Sequence, residues 1–257
     1  MMLISVVRSR ILPLVMVLAA LSFLGGCGER EKAPTHSIRM ERTRATFFTD
    51  QKLPDLMNMA QPPPGTPQGD AWDLFAKAFE DAKGGNAAEA KKSLKSILSQ
   101  TNLDTRYHLW AWSALRSLGE EPDPALKGKV QGLVVEVPTG SGVDTCAVYA
   151  DGGVHYLANT DILTEADKTG PQSSNLVKEM LAVGQAELGA AQAVTNHPPL
   201  LKQEARLTLL TFGGNYSLSE NGPKKNKWKM PEKITQNMNQ LSLSILDDIS
   251  KAKSARP

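Results

Sequence analysis

The feature that most constrains this chain of 257 residues is a short apolar run near its beginning. Residues 11–24 carry no charge, the cations Arg8 and Arg10 precede them, and two glycines follow them. A basic start, a short apolar stretch and small residues at its end are typical of a secretory signal peptide. The run is shorter than the roughly 20 residues that a membrane-spanning helix needs. We therefore predict that residues 1–26 are a signal peptide and that the mature chain lies outside the cytoplasm.

The run ends in the tetrapeptide Leu24-Gly25-Gly26-Cys27, which resembles the lipobox of bacterial lipoproteins. In that family, diacylglycerol is attached to the cysteine thiol, the chain is cleaved before the cysteine, and the new amine is acylated. The resemblance implies lipidation at Cys27 and a membrane anchor, because two or three acyl chains bind a bilayer stably. Gly28 stands where the family's inner-membrane retention signal has Asp, which favours the outer membrane, facing the periplasm, if the host is Gram-negative. The alternative is an uncleaved signal-anchor with an incidental Cys27.

The charge balance excludes one class of partner. Residues 1–26 contain two arginines and no acid, so residues 27–257 carry 27 cations and 27 acids. A dedicated nucleic-acid-binding protein carries a basic field, and this chain has none. Its two cysteines also exclude a disulfide-dense scaffold. With 41% hydrophobic residues, the chain has enough apolar material for one core of ordinary size or two small ones.

Residues 27–69 have the composition of a lipid-anchored linker, with charged residues first and a Pro/Gly-rich stretch at the end. Five apolar residues interrupt this composition: Phe47, Phe48, Leu53, Leu56 and Met57. Two interpretations of them remain open. They form a docking segment for the folded body or a partner, or they are a short element packed on their own domain.

Residues 70–119 predict three helices with tight connections. Asp70 begins a helix to about Lys83, Asn86 begins a second one, and Asp104 begins a third that ends at Gly119. This stretch resembles one and a half tetratricopeptide repeats, and the residues that carry the resemblance are Trp72, Gly85-Asn86, Glu89-Ala90 and Ala111-Trp112. The resemblance implies a tetratricopeptide-like, protein-binding helical unit. The alternative is a helical hairpin that packs on the next domain.

Residues 129–257 predict an α+β domain. The β-branched runs and turn signals give an antiparallel sheet of about five strands, at 133–137, 143–150, 154–158, 206–212 and 216–219. Two amphipathic helices back the sheet, one at about 174–194 and one from Pro231. The stretch Gly132–Pro138, with Gly142-Val143-Asp144-Thr145, Ala147 and Tyr149-Ala150-Asp151-Gly152, resembles an uncharacterised bacterial domain. That resemblance implies a fold and no activity.

Cys146, His155 and the other histidines are the side chains best suited to nucleophilic, acid–base or metal-binding chemistry. If Asp151-Gly152 is a two-residue hairpin loop, Cys146 and His155 lie on one face of the sheet, roughly 7–8 Å apart, too far for direct proton transfer. His36, His108 and His197 have no metal-ligand spacing. We assign turn-forming roles to three further polar residues that lie near glycine loops, Asp144, Thr145 and Asp151. The sequence therefore predicts no catalytic, cofactor-binding or metal-binding residue.

A lysine loop, residues 224–233, contains Lys224, Lys225, Lys227, Lys229 and Lys233 around Trp228. It either binds an anionic surface or is a solvated loop with Trp228 packed on the core. The second interpretation is favoured.

These observations predict a lipid-anchored cell-envelope protein without enzymatic activity, which binds or supports an envelope protein partner. The alternative is an envelope enzyme whose active site lies in the α+β domain. A cavity with converging polar groups favours the enzyme, and an apolar surface on the helical unit favours the binding protein. The sequence leaves the partner and the oligomeric state open.

Overall fold

The computed structural model of the protein describes residues 36–59, 70–166, 169–222 and 227–254. All of them belong to one compact unit, Lys32–Pro257. The predicted signal peptide and Cys27 lie outside the described residues.

Eight helices and seven strands occur in the described ranges. In chain order they are α1 (Ile38–Phe47), α2 (Leu53–Met59), α3 (Asp70–Lys83), α4 (Ala87–Leu98), α5 (Thr105–Ser117), α6 (Pro124–Lys127), β1 (Val130–Pro138), β2 (Val143–Tyr149), β3 (Val154–Leu157), β4 (Leu163–Ala166), α7 (Pro171–Glu187), β5 (Gln192–Val194), β6 (Ala205–Thr211), β7 (Gly214–Glu220) and α8 (Glu232–Ser254), with a single 3₁₀ turn at Leu188–Ala190.

The strands form one antiparallel sheet in the order β4-β3-β2-β1-β6-β7-β5. The α+β class with an antiparallel sheet is therefore confirmed. The predicted count of about five strands is wrong, because β4 and β5 were missed. These two edge strands have only four and three residues, and neither contains a β-branched run that would mark it.

One face of the sheet packs against α7 and α8. Ile234, Met238, Leu241 and Ile245 of α8 lie at helical spacing and join the main hydrophobic core with Leu209 of β6. Gly184 lets α7 approach closely, because a Cβ there would lie 3.0 Å from Leu209 Cδ2. The predicted helix at 174–194 begins earlier and ends earlier, at Glu187, because the chain turns there into the short edge strand β5.

The opposite face of the sheet is covered by α1 and by residues of α5. Phe47 and Phe48 are at most 1% exposed, and they share a core with Leu109 of α5 and Val134 of β1. The apolar residues within 27–69 are therefore part of a short element packed on its own domain, which is the second of the two interpretations given above. Residues 36–59 pack on their own domain.

The three helices α3 to α5 begin and end close to the residues that the sequence predicts. Gly85 and Gly119 have positive φ angles of 79° and 78°, which explains why the helices end at these glycines. Asn86 and Asp104 stand at the N-caps, but neither side chain makes the capping hydrogen bond. The tetratricopeptide-like character of these helices stays a prediction.

Candidate functional site

The sheet face that α1 covers is unusually polar, and we call it the polar face. Antiparallel register places Glu136 of β1 opposite Thr145 of β2 and Arg206 of β6, and it places Thr208 and His155 in the next row. All five side chains are buried. Buried charges are costly unless they are paired, so the partners of Glu136 define what this face does.

Glu136 is fully buried and holds two arginines. Arg44 of α1 donates from Nε to Glu136 Oε1 over 2.7 Å, and its Nη2 lies 2.5 Å from the same oxygen. Arg206 Nη1 lies 3.6 Å from Glu136 Oε2. The two arginines approach from different parts of the chain, 92 residues before Glu136 and 70 residues after it.

A second carboxylate completes this charge cluster, which consists of Arg44, Glu136, Glu204 and Arg206. Arg206 Nη2 donates to Glu204 Oε1 over 3.0 Å, and Ser219 Oγ donates to the same oxygen over 2.8 Å. The other Glu204 oxygen accepts from the backbone N–H of Leu201. The cluster therefore contains two acids and two cations, and each charged group has an opposite charge within 4 Å.

His197 forms the outer edge of the cluster. Its Nε2 lies 2.7 Å from Asp50 Oδ2, and its ring stacks on Phe48 with centroids 3.8 Å apart. Its carbonyl oxygen accepts from Arg44 Nη1 over 3.2 Å. Asn215 Nδ2 donates to the carbonyl of Phe48. These contacts hold α1 and the segment after it against the β5–β6 loop and against β7.

A cavity of about 320 Å³ lies beside the cluster, at the β5–β7 edge of the sheet. Its polar lining includes Asn196, His197, Glu204, Arg206, Ser217 and Ser219. Ser217 donates to the carbonyl of Leu207, so its hydroxyl has no base as its hydrogen-bond acceptor. Ser219 donates to the Glu204 carboxylate, and Arg206 binds the same carboxylate oxygen. A nucleophilic hydroxyl needs a base within hydrogen-bond reach, and of the two serines only Ser219 has one.

Two further histidine–carboxylate pairs lie toward the other edge of the sheet. His155 Nδ1 lies 2.5 Å from Glu165 Oε1, and this hydrogen bond holds the pKa of Glu165 below its usual value. His36 Nδ1 lies 2.9 Å from Asp161 Oδ1, and the pKa of Asp161 is lowered by hydrogen bonds from Ser37 and then from His36. The pair His36–Asp161 joins the start of the described chain to the β3–β4 turn.

The predicted neighbourhood of Cys146 and His155 is wrong. Cys146 pairs with Tyr156, whereas His155 pairs with Ala147, so the two side chains lie on opposite faces. The reason is the turn, which holds three residues between Tyr149 and Gly153 instead of two. A shift of one residue in register exchanges the faces. Cys146 lies in the apolar core, where burial raises the pKa of its thiol to about 12.

The acidic residues near the turns accept hydrogen bonds from other groups of the fold. Asp151 Oδ1 accepts from Gly153 N, and its Oδ2 accepts from the N–H of Thr105 over 2.6 Å, at the start of α5. Asp151 thus supplies the capping acceptor that Asp104 does not. Asp144 accepts from the side chains of Tyr156 and Asn159. Thr145 is buried on the polar face, and its hydroxyl has no partner among the described residues.

The histidines do not converge. His108 lies near the carbonyl of Gln100, and the other three histidines are held by different acids, Asp161, Glu165 and Asp50. Within the described ranges, no group of three or more His, Cys, Asp or Glu side chains is placed to hold a metal ion.

The lysine loop lies partly outside the described residues, which do not include Lys224 and Lys225. Trp228 packs against the main core, and its Nε1 donates to Glu187 Oε2 over 2.8 Å. Lys233 pairs with Glu179. The packing of Trp228 agrees with the favoured interpretation of a solvated loop whose tryptophan lies on the core.

Sequence reasoning missed the charge cluster entirely. The one available signal was Glu136, a single acid inside the β-branched run Leu133-Val134-Val135-Glu136-Val137. An acid at the centre of a buried strand requires a cationic partner, but the sequence does not say which of the many lysines and arginines provides it.

No helix in the described part of the chain is long and apolar enough to cross a membrane. Comparisons with known proteins found no matching family model, no matching curated protein and no matching solved structure.

Proposed function

We propose that this chain is a lipid-anchored lipoprotein of the bacterial cell envelope, with Cys27 as the lipidation site, and that it acts as a non-enzymatic protein-binding or accessory component. The observation that carries the second part is the pairing within the charge cluster. Its charged groups bind one another and the backbone, as in an ion-pair network that holds one part of a fold on another.

The fastened element is the segment 36–50, which leads from the anchor into the folded body. Three pairs attach it to the sheet and its loops: His36 with Asp161, Arg44 with Glu136, and Asp50 with His197. A segment held at its beginning, middle and end transmits the position of the anchor to the rest of the fold. This arrangement suits a protein that presents a surface at a fixed place near the membrane.

The lipidation is tested by replacing Cys27 with Ser. We expect the variant to accumulate as an unprocessed precursor and to incorporate no labelled palmitate. The matched control is Cys146→Val, which removes the other cysteine and keeps the label. A Cys27→Ser chain that still carries palmitate and runs at the mature size contradicts the proposal.

The alternative, an envelope enzyme, is favoured by the cavity of about 320 Å³ with its polar lining. Ala190 lines this cavity and is itself exposed, so Ala190→Trp fills the cavity without disturbing the core. The control is Ala125→Trp, at an exposed alanine of α6 that does not line the cavity. If the protein is a non-enzymatic accessory component, both tryptophan variants restore the wild-type phenotype to a deletion strain. Loss of rescue by Ala190→Trp alone supports the enzyme.

The protein-binding part is tested by cross-linking in native membranes. We expect the wild-type chain to capture an envelope protein and the Cys27→Ser chain to lose it, because the precursor is not delivered to the same membrane. Capture that is unchanged in the Cys27→Ser chain contradicts a partner met through the anchor.

A further inference from the structure

Two isoleucines are exposed on either side of one contact. Ile38 is 80% exposed and Ile162 is 60% exposed, and they are two of the four large apolar side chains that are exposed in the described part of the chain. Ile38 follows Ser37 and Ile162 follows Asp161, and Ser37 and Asp161 are in contact. Ser37 N donates to Asp161 Oδ2 over 3.2 Å, and His36 Nδ1 lies 2.9 Å from Asp161 Oδ1. The beginning of α1 and the β3–β4 turn therefore present both isoleucines at one end of the body.

The turn that carries Ile162 is tightly built. Asp161 has a φ of 62°, in the left-handed region that residues other than glycine seldom adopt. Its N–H donates to the carbonyl of Ala158, and the N–H of Ala158 donates to the carbonyl of Ile162. The turn thus holds the Asp161 carboxylate toward Ser37 and leaves Ile162 in solvent, so the exposure of Ile162 is a property of an ordered structure.

The short distance along the chain from Cys27 to Ile38 indicates that this end of the body contacts the membrane. His36 is nine residues after Cys27, and nine residues of extended chain reach at most about 32 Å. An anchor at Cys27 therefore keeps the Ile38 end of the body close to the bilayer. Arg42, one helical turn after Ile38, is exposed, and its cation complements anionic lipid headgroups.

We propose that Ile38, Ile162 and Arg42 form an apolar tip that contacts the lipid surface in which Cys27 is anchored. The isoleucines enter the boundary between headgroups and acyl chains, and Arg42 binds the headgroup phosphates. This inference rests on the proposed lipidation and adds a second point of attachment, which fixes the orientation of the body as well as its distance from the membrane.

The test uses the full lipidated chain with Cys146→Val, so that an introduced cysteine is the only free thiol. Ile38→Cys and Ile162→Cys are labelled separately with a nitrobenzoxadiazole fluorophore, and the protein is reconstituted in vesicles of phosphatidylethanolamine and phosphatidylglycerol. The matched control is Leu243→Cys, a 69% exposed position on α8. We expect the tip labels, and not the Leu243 label, to shift to shorter wavelength and to be quenched by doxyl-labelled lipid.

Palmitate on Cys27 is measured by mass spectrometry in the same samples. Tip labels that behave like the Leu243 label on a palmitoylated chain overturn the tip and leave the lipoprotein proposal standing. Tip labels that shift without quenching by doxyl lipid show a protein contact and also overturn it. A chain without palmitate overturns the proposed lipidation, and the tip proposal falls with it.

Discussion

The two faces of the sheet are buried to a similar degree but by different means. The face toward α7 and α8 is packed with aliphatic side chains and contains Cys146 as its single thiol. The polar face, toward α1, contains Glu136, Arg206, Thr208 and His155, all of them buried. Apolar burial is non-directional, whereas a buried charge requires one particular partner. Both faces carry buried apolar side chains, but only the polar face has buried charges, which favour the one segment that brings the matching partners.

This difference explains why a segment of linker-like composition is ordered. Residues 36–50 bring Phe47 and Phe48 to the sheet. They also bring His36, Arg44 and Asp50, and each of these three pairs with a group of the α+β domain. An aliphatic cover would bind any apolar surface. A cover held by matched charges binds in one place and one register, and a change of charge at any of the three pairs weakens it.

The largest effect is expected from Glu136→Gln, which leaves Arg44 and Arg206 buried without their shared carboxylate. Breaking a buried ion pair from one side costs about 3 kcal/mol or more of unfolding free energy. Urea unfolding of the purified chain measures the loss. The control is Lys92→Gln, which removes an exposed pair with Glu89 (3.7 Å) and costs less than about 0.5 kcal/mol.

A double-mutant cycle shows whether the loss comes from the pair itself. Arg44→Gln combined with Glu136→Gln should cost less than the sum of the single variants, by about 1 kcal/mol or more, because the two residues are in direct contact. Strict additivity of Arg44→Gln and Glu136→Gln would show that the charge cluster does not hold α1 on the sheet.

A smaller effect of opposite sign is expected from Thr208→Val on the polar face. The Thr208 hydroxyl is buried and has no hydrogen-bond partner among the described residues, so a methyl group of the same shape removes a desolvation penalty. We expect a gain of about 1 kcal/mol in thermal or urea unfolding. The matched variant on the apolar face is Cys146→Val, where no such penalty exists and the change stays below about 1.5 kcal/mol. Destabilisation by Thr208→Val would reveal an unseen partner, such as a buried water.

The same contrast separates what the sequence predicts from what it does not. The helices α3 to α5 and α8 follow from apolar spacing and from Gly85 and Gly119, which are local signals. The strands of the central sheet follow from β-branched runs. Local rules did not predict that Arg44 and Arg206 meet at Glu136, because the sequence contains 29 lysines and arginines and the pairing depends on the completed fold.

The register of β2 and β3 is the clearest failure of a local rule. Asp151-Gly152 favours a two-residue loop, but Asp151 also accepts from Thr105 of α5, and the turn has three residues. That single residue moves His155 from the face of Cys146 to the polar face, where it meets Glu165. The longer turn occurs together with the contact between Asp151 and Thr105, which lies outside the hairpin. The sequence of the hairpin alone therefore does not predict the turn length.

The smallest effect is a pH dependence confined to the polar face. The hydrogen bond from His155 holds the folded-state pKa of Glu165 below its ordinary value of 4.5. The ionised carboxylate therefore stabilises the fold above pH 4.5, and this contribution is lost as the pH falls through the folded-state pKa. Glu165 is 47% exposed, so solvent screening limits the contribution to about 0.5 kcal/mol. We expect Glu165→Gln to be less stable than the wild type by this amount at pH 6 to 7. The difference should shrink on acidification below pH 4.5 and vanish once the pH lies below the folded-state pKa.

Cys146→Val is the control, because a thiol with a pKa of about 12 does not titrate in this range and its difference from the wild type stays constant. A Glu165→Gln difference that also stays constant would mean that packing, and not the charge, accounts for the role of Glu165 on the polar face.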